Sequence, residues 1–394
     1  MWRDPHVTKL CISAMGDLVQ SRGFHTADGG SEHFLLIKSP AEMEFKGQIE
    51  FVRKSYRDEL ESLNLDPATA IFRRIYLSDI LNQGALVRQT DLVDDATAIS
   101  IVQQPPLASS KIALLAYHID SPKSVRKRRL SPKHLLVEKN QNRHLWSTQL
   151  CSCDEKAATS PGEQTKRVFQ NLVSTLKMLG GTLLDHCVRT WIYVKGVDTF
   201  YDAMVESRRK LFLDEGMNSK THYIASTGIE GACSHRFDSI AMDAYSNLDL
   251  APGQMTYLND LDQLCLTRDY NVTFERGTRI AYADRAHCYI SGTASIDKSG
   301  QILHVGDVVG QLQRALDNVN ALLKAGSASL ADMMFLIVYL RDQSDFARVD
   351  SFLRCHLLFL PRLVVQGPVC RPGWLVEIEG MAITRNHAPS FPAF

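Results

Sequence analysis

Residues 311–342 read QLQRALDNVNALLKAGSASLADMMFLIVYLRD, and the change of period inside this stretch decides the fold. Leu312, Leu316, Val319, Leu322 and Leu323 recur at helical spacing over Gln311–Lys324. Ala325, Gly326, Ser327 and Ala328 then break the helix with small residues, and MMFLIVYLRD continues as a buried strand. The same order occurs twice upstream. VFQNLVSTLKML, Gly180-Gly181 and VRTWIYVKGVD repeat it in the middle of the chain, and IEFVRKSYRDELESL, Asn64–Pro67 and AIFRRIYLSD repeat it more faintly near the start. Tyr76, Tyr193 and Tyr339 fall at equivalent points, 117 and 146 residues apart.

Each copy has an apolar strand upstream: HFLLIK from His33, HLLVEK from His134 and AHCYISG from Ala286. Each ends on a strand pair, AISIVQQ with KIALLAYH, HYIASTGI with DSIAMDAYS, and RLVVQGP with WLVEIEGMAI. A period above a hundred residues is domain duplication rather than a solenoid. The expectation is an α+β protein of three tandem modules, at residues 1–120, 130–250 and 270–386, set around an internal pseudo-threefold. A chain of 394 residues is long enough for two or three cores. Segments 119–133, 151–165 and 247–272 read as linkers, the first holding the basic run Arg126–Arg129, taken as solvated rather than as a phosphate or RNA contact.

Hydrophobic residues are 45% and charged residues 22% of the chain, which argues against disorder. Lys plus Arg and Asp plus Glu are 44 each, so nothing in the bulk charge favours a nucleic-acid partner. No run of 18 apolar residues predicts a membrane span, and MWRDPHVTKLCISAMGDLVQ lacks the plan of a secretion signal. Nine cysteines, an odd number and scattered, read as reduced thiols in a cytoplasmic protein. Cys151-Ser-Cys153 with His144 could hold zinc but reads as a linker with incidental thiols. No metal site and no cofactor is expected, since HExxH, paired CxxC, GxGxxG and P-loop patterns are missing from the sequence.

The third copy, from Phe274 to about Arg385, resembles the RidA (YjgF) family. The resemblance rests on CYISGTASID at Cys288–Asp297, Gly306-Asp307 before the helix, DNVNALLKAGSASLADMM, VYLRDQSDF and PRLVV with WLVEIEGMAI. It implies a chorismate-mutase-like α+β domain, a trimeric arrangement with clefts between modules, and hydrolysis of enamines or imines derived from amino acids, without a cofactor. By that resemblance Arg362 clamps a substrate carboxylate and Glu377, fifteen residues on, directs water or a proton. A planar guanidinium offers two parallel donors to a carboxylate, and a carboxyl in a dry cleft is poised for proton transfer. Ser291, Gly292, Arg276, Phe274 and Arg371 are expected to line the cleft, and Cys370 to pack beside it. Asp350, Val364 and Phe274 depart from the family pattern. Positions about Ala98 and Ser226, and Ala113 and Ala241, stand for Arg362 and Glu377 in the other copies, so at most one cleft has the Arg–Glu pair. Asp284-Arg285-Ala286-His287 reads as a solvated strand entry.

SGTASI and FERG also resemble the chorismatases, longer relatives that remove pyruvate from chorismate, for which Arg276, Arg362 and Arg371 would hold two carboxylates. A ligand-binding or regulatory protein without turnover is the third reading. In all three the partner is a small-molecule carboxylate, with a homo-oligomer possible.

Overall fold

The structure, a computed structural model, describes residues 18–152, 159–267 and 272–394. The first module contains β1 (Val19–His25), β2 (Ser31–Lys38), α1 (Phe45–Ser62), β3 (Ala70–Leu77), α2 (Ile80–Arg88), β4 (Ala98–Gln103) and β5 (Ile112–Asp120). The second contains β6 (Arg126–Ser131), β7 (His134–Lys139), β8 (Asn142–Cys151), α3 (Pro161–Met178), α4 (Leu183–His186), β9 (Cys187–Val194), α5 (Val197–Asp214), β10 (Ala225–Glu230) and β11 (Ile240–Asn247). The third contains β12 (Met255–Tyr257), β13 (Gly277–Ala281), β14 (Arg285–Ala294), α6 (Val308–Ala325), β15 (Met333–Leu340), α7 (Phe346–His356), β16 (Arg362–Gln366) and β17 (Val376–Arg385).

Three sheets result, with orders β1-β2-β5-β3-β4, β10-β9-β11-β8-β7-β6 and β12-β13-β14-β17-β15-β16. In each, one helix leads to the strand next to one edge (β3, β9 or β15) and a second helix crosses to the parallel edge strand beside it, so the chain is α+β with three tandem modules. β3, β9 and β15 are buried at every position, as a strand covered on both faces must be. Helices cover one face of each sheet. The other faces meet in one shared core containing Phe34, Phe72, Trp146, Trp191, Tyr289 and Phe335. Tyr76, Tyr193 and Tyr339 lie opposite Ala113, Ala241 and Glu377 in their sheets, the equivalence expected from the repeat.

The helices start a turn or two before their clearest apolar repeat, because their caps do. Ser160 accepts from Glu163 N ahead of Pro161, and Asp307 accepts from Val309 N. Three expectations are corrected. The strand equivalent to β2 and β14 is β8, not HLLVEK, which forms β7; β7 and β8 are joined by Asn140 and Gln141, both at positive φ. The basic run Arg126–Arg129 is an edge strand rather than a solvated linker. Lys127 donates to Ala68 O and Ala70 O and Arg129 to Asp95 O, so alternate side chains dock on the first module while Arg126 and Arg128 stay exposed. Arg285 and His287 are buried rather than solvated, because Glu32 of the first module is buried opposite them and pairs with both.

The modules touch in a closed ring. β4 lies on β8, with Gln103 N donating to Ala232 O at 2.8 Å; β10 lies on β14; β16 lies on β2, with Leu107 N donating to Val364 O at 2.9 Å. At the centre, Arg74 of the first module contacts Asp243 of the second at 3.2 Å and Glu379 of the third at 3.6 Å. Arg189 of the second module contacts Glu379 at 2.7 Å, and Trp191 and Tyr339 also donate to that carboxylate. All four charged groups are almost fully buried. Removing one member of such a cluster strands a charge, so Arg189→Ala should cost about 3–5 kcal/mol in urea unfolding. Arg189→Met with Glu379→Gln, which deletes both signs, should cost less than the two single changes summed, measured as a double-mutant cycle.

Candidate active site

The β14–β17 register is regular up to Ile290 opposite Gly380 and resumes at Thr293 opposite Ile378, leaving a bulge at Ser291-Gly292. The second module holds that bulge in place. Ser291 Oγ donates to Glu275 O at 2.6 Å and accepts from Ser226 N at 2.9 Å, and Gly292 N donates to Thr227 Oγ1 at 2.8 Å. The carboxyl of Glu377 lies across Gly292 so closely that a Cβ there would overlap its Oε1. Gly292 is thus required by a close approach, not by φ.

Glu377 is buried, and burial together with the charge of Glu379 two residues away pushes its pKa up to about 8, against opposing pulls from Arg189 and Arg276. At neutral pH it is a protonated carboxylic acid. It faces a cleft of about 530 Å³, open mouth included, between the second and third modules, shared with Arg208, Arg276, Arg371, Phe274 and Gly292. Arg208 sits on the apolar stripe of α5, with Met204, Val205, Leu211 and Phe212. Its Nε donates to Thr273 Oγ1 at 3.0 Å, while its Nη2 is buried without a hydrogen-bond partner. Arg276 is fixed by donating Nε and Nη2 to Cys265 O, and Arg371 lies 4.8 Å over the Trp374 ring. Trp374 is itself pinned by donating Nε1 to Ser295 O. Burial pushes the Cys370 thiol up to about 12, with Glu377 adding to it, so Cys370 is a neutral wall rather than a nucleophile. The Tyr201 phenol is likewise pushed up, by burial first. Together these groups can seat a small dianion and hand it a proton.

Of the residues read from sequence, Glu377, Gly292, Arg276, Phe274 and Arg371 line this cavity. Arg362 does not. It lines a separate cavity of about 400 Å³ between the third and first modules, with Gln20, Lys38, Phe346 and Asp350, and its Nη1 donates to Leu357 O and Leu360 O. The cause is topological: Arg362 is on edge strand β16, facing β2, whereas Glu377 is on the inner strand β17, facing β10. The Arg–Glu pair is therefore divided between two clefts. Ser291 is not wall but clamp, its hydroxyl turned to Glu275 and Ser226. The pairing register puts Ile99, not Ala98, at the first-module equivalent of Arg362, and Ser226 at the second-module one. His144 stacks on Tyr245 in the core, and Cys153 lies outside the described residues. Arg208 and Tyr201 were missed; the available signal was a guanidinium on the apolar face of a helix.

Two kinds of known protein are similar to this chain. Residues 279–384 match the family model described as Endoribonuclease L-PSP. The 3-aminoacrylate deaminase RutC of Acinetobacter baylyi is 28% identical over 99 residues, 24% of this chain and 76% of that protein. A chorismatase of Streptomyces hygroscopicus is 27% identical over 235 residues, 56% of this chain and 67% of that protein. A chorismatase crystal structure superposes with a TM-score of 0.61 at 20% identity, covering 80% of this chain and 93% of that one, which is a likeness of fold. The third module thus resembles the RidA family, and the chain resembles a chorismatase in sequence over 56% of its length and in fold over 80%.

Proposed function

We propose that the cavity between the second and third modules hydrolyses a carboxylated enol ether, a chorismatase-like release of pyruvate, with Glu377 as general acid. The observation that carries this reading is a carboxyl held neutral at pH 7 beside three guanidiniums. Neutral Glu377 delivers its proton to the methylene carbon of R–O–C(=CH2)–COO⁻, leaving an oxocarbenium ion and a Glu377 carboxylate. Water adds to the cationic carbon as its proton passes to Glu377. The hemiketal then moves its hydroxyl proton to the bridging oxygen and expels R–OH, giving pyruvate. Net, one water is consumed and Glu377 regains its proton. Arg208, whose Nη2 has no partner in the protein, pairs with one carboxylate, and Arg371 and Arg276 supply positive charge for the second.

The likeness to a chorismatase over 235 residues and the lining by two modules favour this over the RidA-like reading, in which the same Glu377 protonates the carbon of a carboxylated enamine and water releases ammonia. The two share every proton step and differ in the leaving atom. The separation of Arg362 from Glu377 weighs against a site built on that pair.

The test is pyruvate formation from chorismate, run beside ammonia release from an aminoacrylate generated in situ. Pyruvate release from chorismate is expected; release of ammonia alone transfers the assignment to the enamine reading, and no turnover of either overturns both. Glu377→Gln should lower kcat about a hundredfold or more while still binding substrate. Arg208→Ala should act mainly on KM, and Arg362→Gln should leave kcat/KM within about twofold.

Because the acid form is the active one, kcat/KM should be level below pH 7 and fall by about tenfold per unit above pH 8, tracking Glu377. A rate that rises through pH 8 would make Glu377 a base. The same group acts on stability: its folded pKa lies above its unfolded value, so its ionisation cost weakens the fold as pH rises from about 4 to 8, and Glu377→Gln should gain thermal stability relative to wild type at pH 9. Gly292→Ala should push the flexible end of Glu377 aside. The expected result is a kcat loss of about tenfold to a hundredfold with only a small change in melting temperature.

A further inference from the structure

The loop between β10 and β11, residues 231–239, corresponds to the loop between β16 and β17 that puts Cys370 and Arg371 in the cavity wall. In the second module it carries different chemistry. The sulfurs of Cys151, at the end of β8, and Cys233, in the loop, and a carboxylate oxygen of Asp238 lie within 4.8 Å of one another. Cys233 and Asp238 are buried and Cys151 is half-buried. His235 Nδ1 stands 3.2 Å from Asp238 Oδ2, yet that buried nitrogen makes no hydrogen bond.

For tetrahedral zinc, with bonds of about 2.0 Å to N and O and 2.3 Å to S, ligand atoms stand roughly 3.3–3.8 Å apart. The imidazole and carboxylate are already close to that separation, and Cys151, Cys233 and Asp238 need to close on one another by about an ångström at most, while His235, outside that trio, has to turn its ring toward the sulfurs to become the fourth ligand. The scaffold is set by neighbours that are not ligands. Ala232 O accepts from Gln103 N, Ser234 Oγ from Arg88, and Gln164 bonds Phe237 O, Ser239 N and Ile240 N. Charge agrees as well. Two thiolates, one carboxylate and one divalent cation sum to −1, and Lys133 Nζ lies 3.6 Å from Cys151 Sγ while Arg88 interacts electrostatically with Cys233.

We propose that Cys151, Cys233, Asp238 and His235 bind a zinc ion that pins this loop to the end of β8. Each thiol loses its proton to solvent as its sulfur–metal bond forms, and no redox change is involved. With all four positions taken by protein the ion is structural, in the module whose strand β11 has Ala241 in place of Glu377.

The experiment uses the full chain, reduced and stripped with EDTA, and titrates Zn²⁺ against a chromophoric chelator. Co²⁺ is added in parallel to read thiolate-to-metal absorption in the near ultraviolet and the visible bands of tetrahedral cobalt. The proposal expects about one equivalent bound, both cobalt signatures, and protection of two thiols from alkylation that EDTA reverses. Cys233→Ser and Asp238→Asn should each weaken binding at least about tenfold, with circular dichroism reporting that they fold. Cobalt bound without thiolate absorption, affinity unchanged in both variants, or Cys151 and Cys233 recovered as a disulfide from the reduced-and-reoxidised chain with no metal uptake would each overturn it. The wild-type cobalt spectrum decides the matter even if a variant fails to fold.

Discussion

Glu379 is the atom-level junction of the molecule. Its carboxylate, on the inner strand of the third sheet, takes hydrogen bonds from Arg189, Trp191 and Thr227 of the second module and Tyr339 of its own, and faces Arg74 of the first. Two arginines and two acids, Asp243 being the other, come together where three apolar sheet faces meet. Ions in such a place cost several kcal/mol each to dehydrate, and only mutual pairing with full hydrogen bonding offsets that cost. A cluster of this kind contributes less to net stability than apolar residues of similar volume would. What it does is penalise every arrangement that leaves one of the four unpaired, and since each module supplies part of it, no module completes the set alone.

The same carboxylate reaches the active-site candidate. Glu379 and Glu377 sit two residues apart on one face of β17, so the charge that ties the modules together also opposes ionisation of its neighbour. Arg189 and Arg276 pull the other way, but burial and Glu379 prevail. The second module has Ala241 and Asp243 at these two places and the first has Ala113 and Leu115. An acid at the outer position of the pair is thus confined to one copy in three. Fusion makes this specialisation feasible. In a symmetric trimer an acid would appear three times at once, whereas a single chain can place it in one cleft and leave it out of the others.

The sequence alone carried the fold because its signal is local: the switch from helical to strand period, repeated with a shared Tyr, needs no knowledge of distant neighbours. It slipped where hairpins blurred that signal. β8 lacks a clean alternation, so HLLVEK took its place in the alignment of copies. The site was legible only within one module. Glu377, Gly292, Arg276, Phe274 and Arg371 come from a span of about a hundred residues and do share a cavity, but Arg208 and Tyr201 come from the preceding module. Nothing in spacing could tell which edge of a sheet faces which neighbour, and that is why Arg362 and Glu377, fifteen residues apart, look like partners and face different modules.

That division has a consequence for how a carboxylate must be held. Arg362 spends Nη1 on two carbonyls of its own module, Leu357 and Leu360, as a residue anchoring a strand junction does. Arg208 leaves Nη2 without a partner at a depth where an unmet donor costs roughly 1–3 kcal/mol. An anion seated over Nη2 would offset that cost while lying in the cavity that Glu377 faces. The unmet donor and the neutral acid are then two halves of one arrangement. In the proposed reaction a carboxylate would complete the first, and the second would protonate what that carboxylate is attached to.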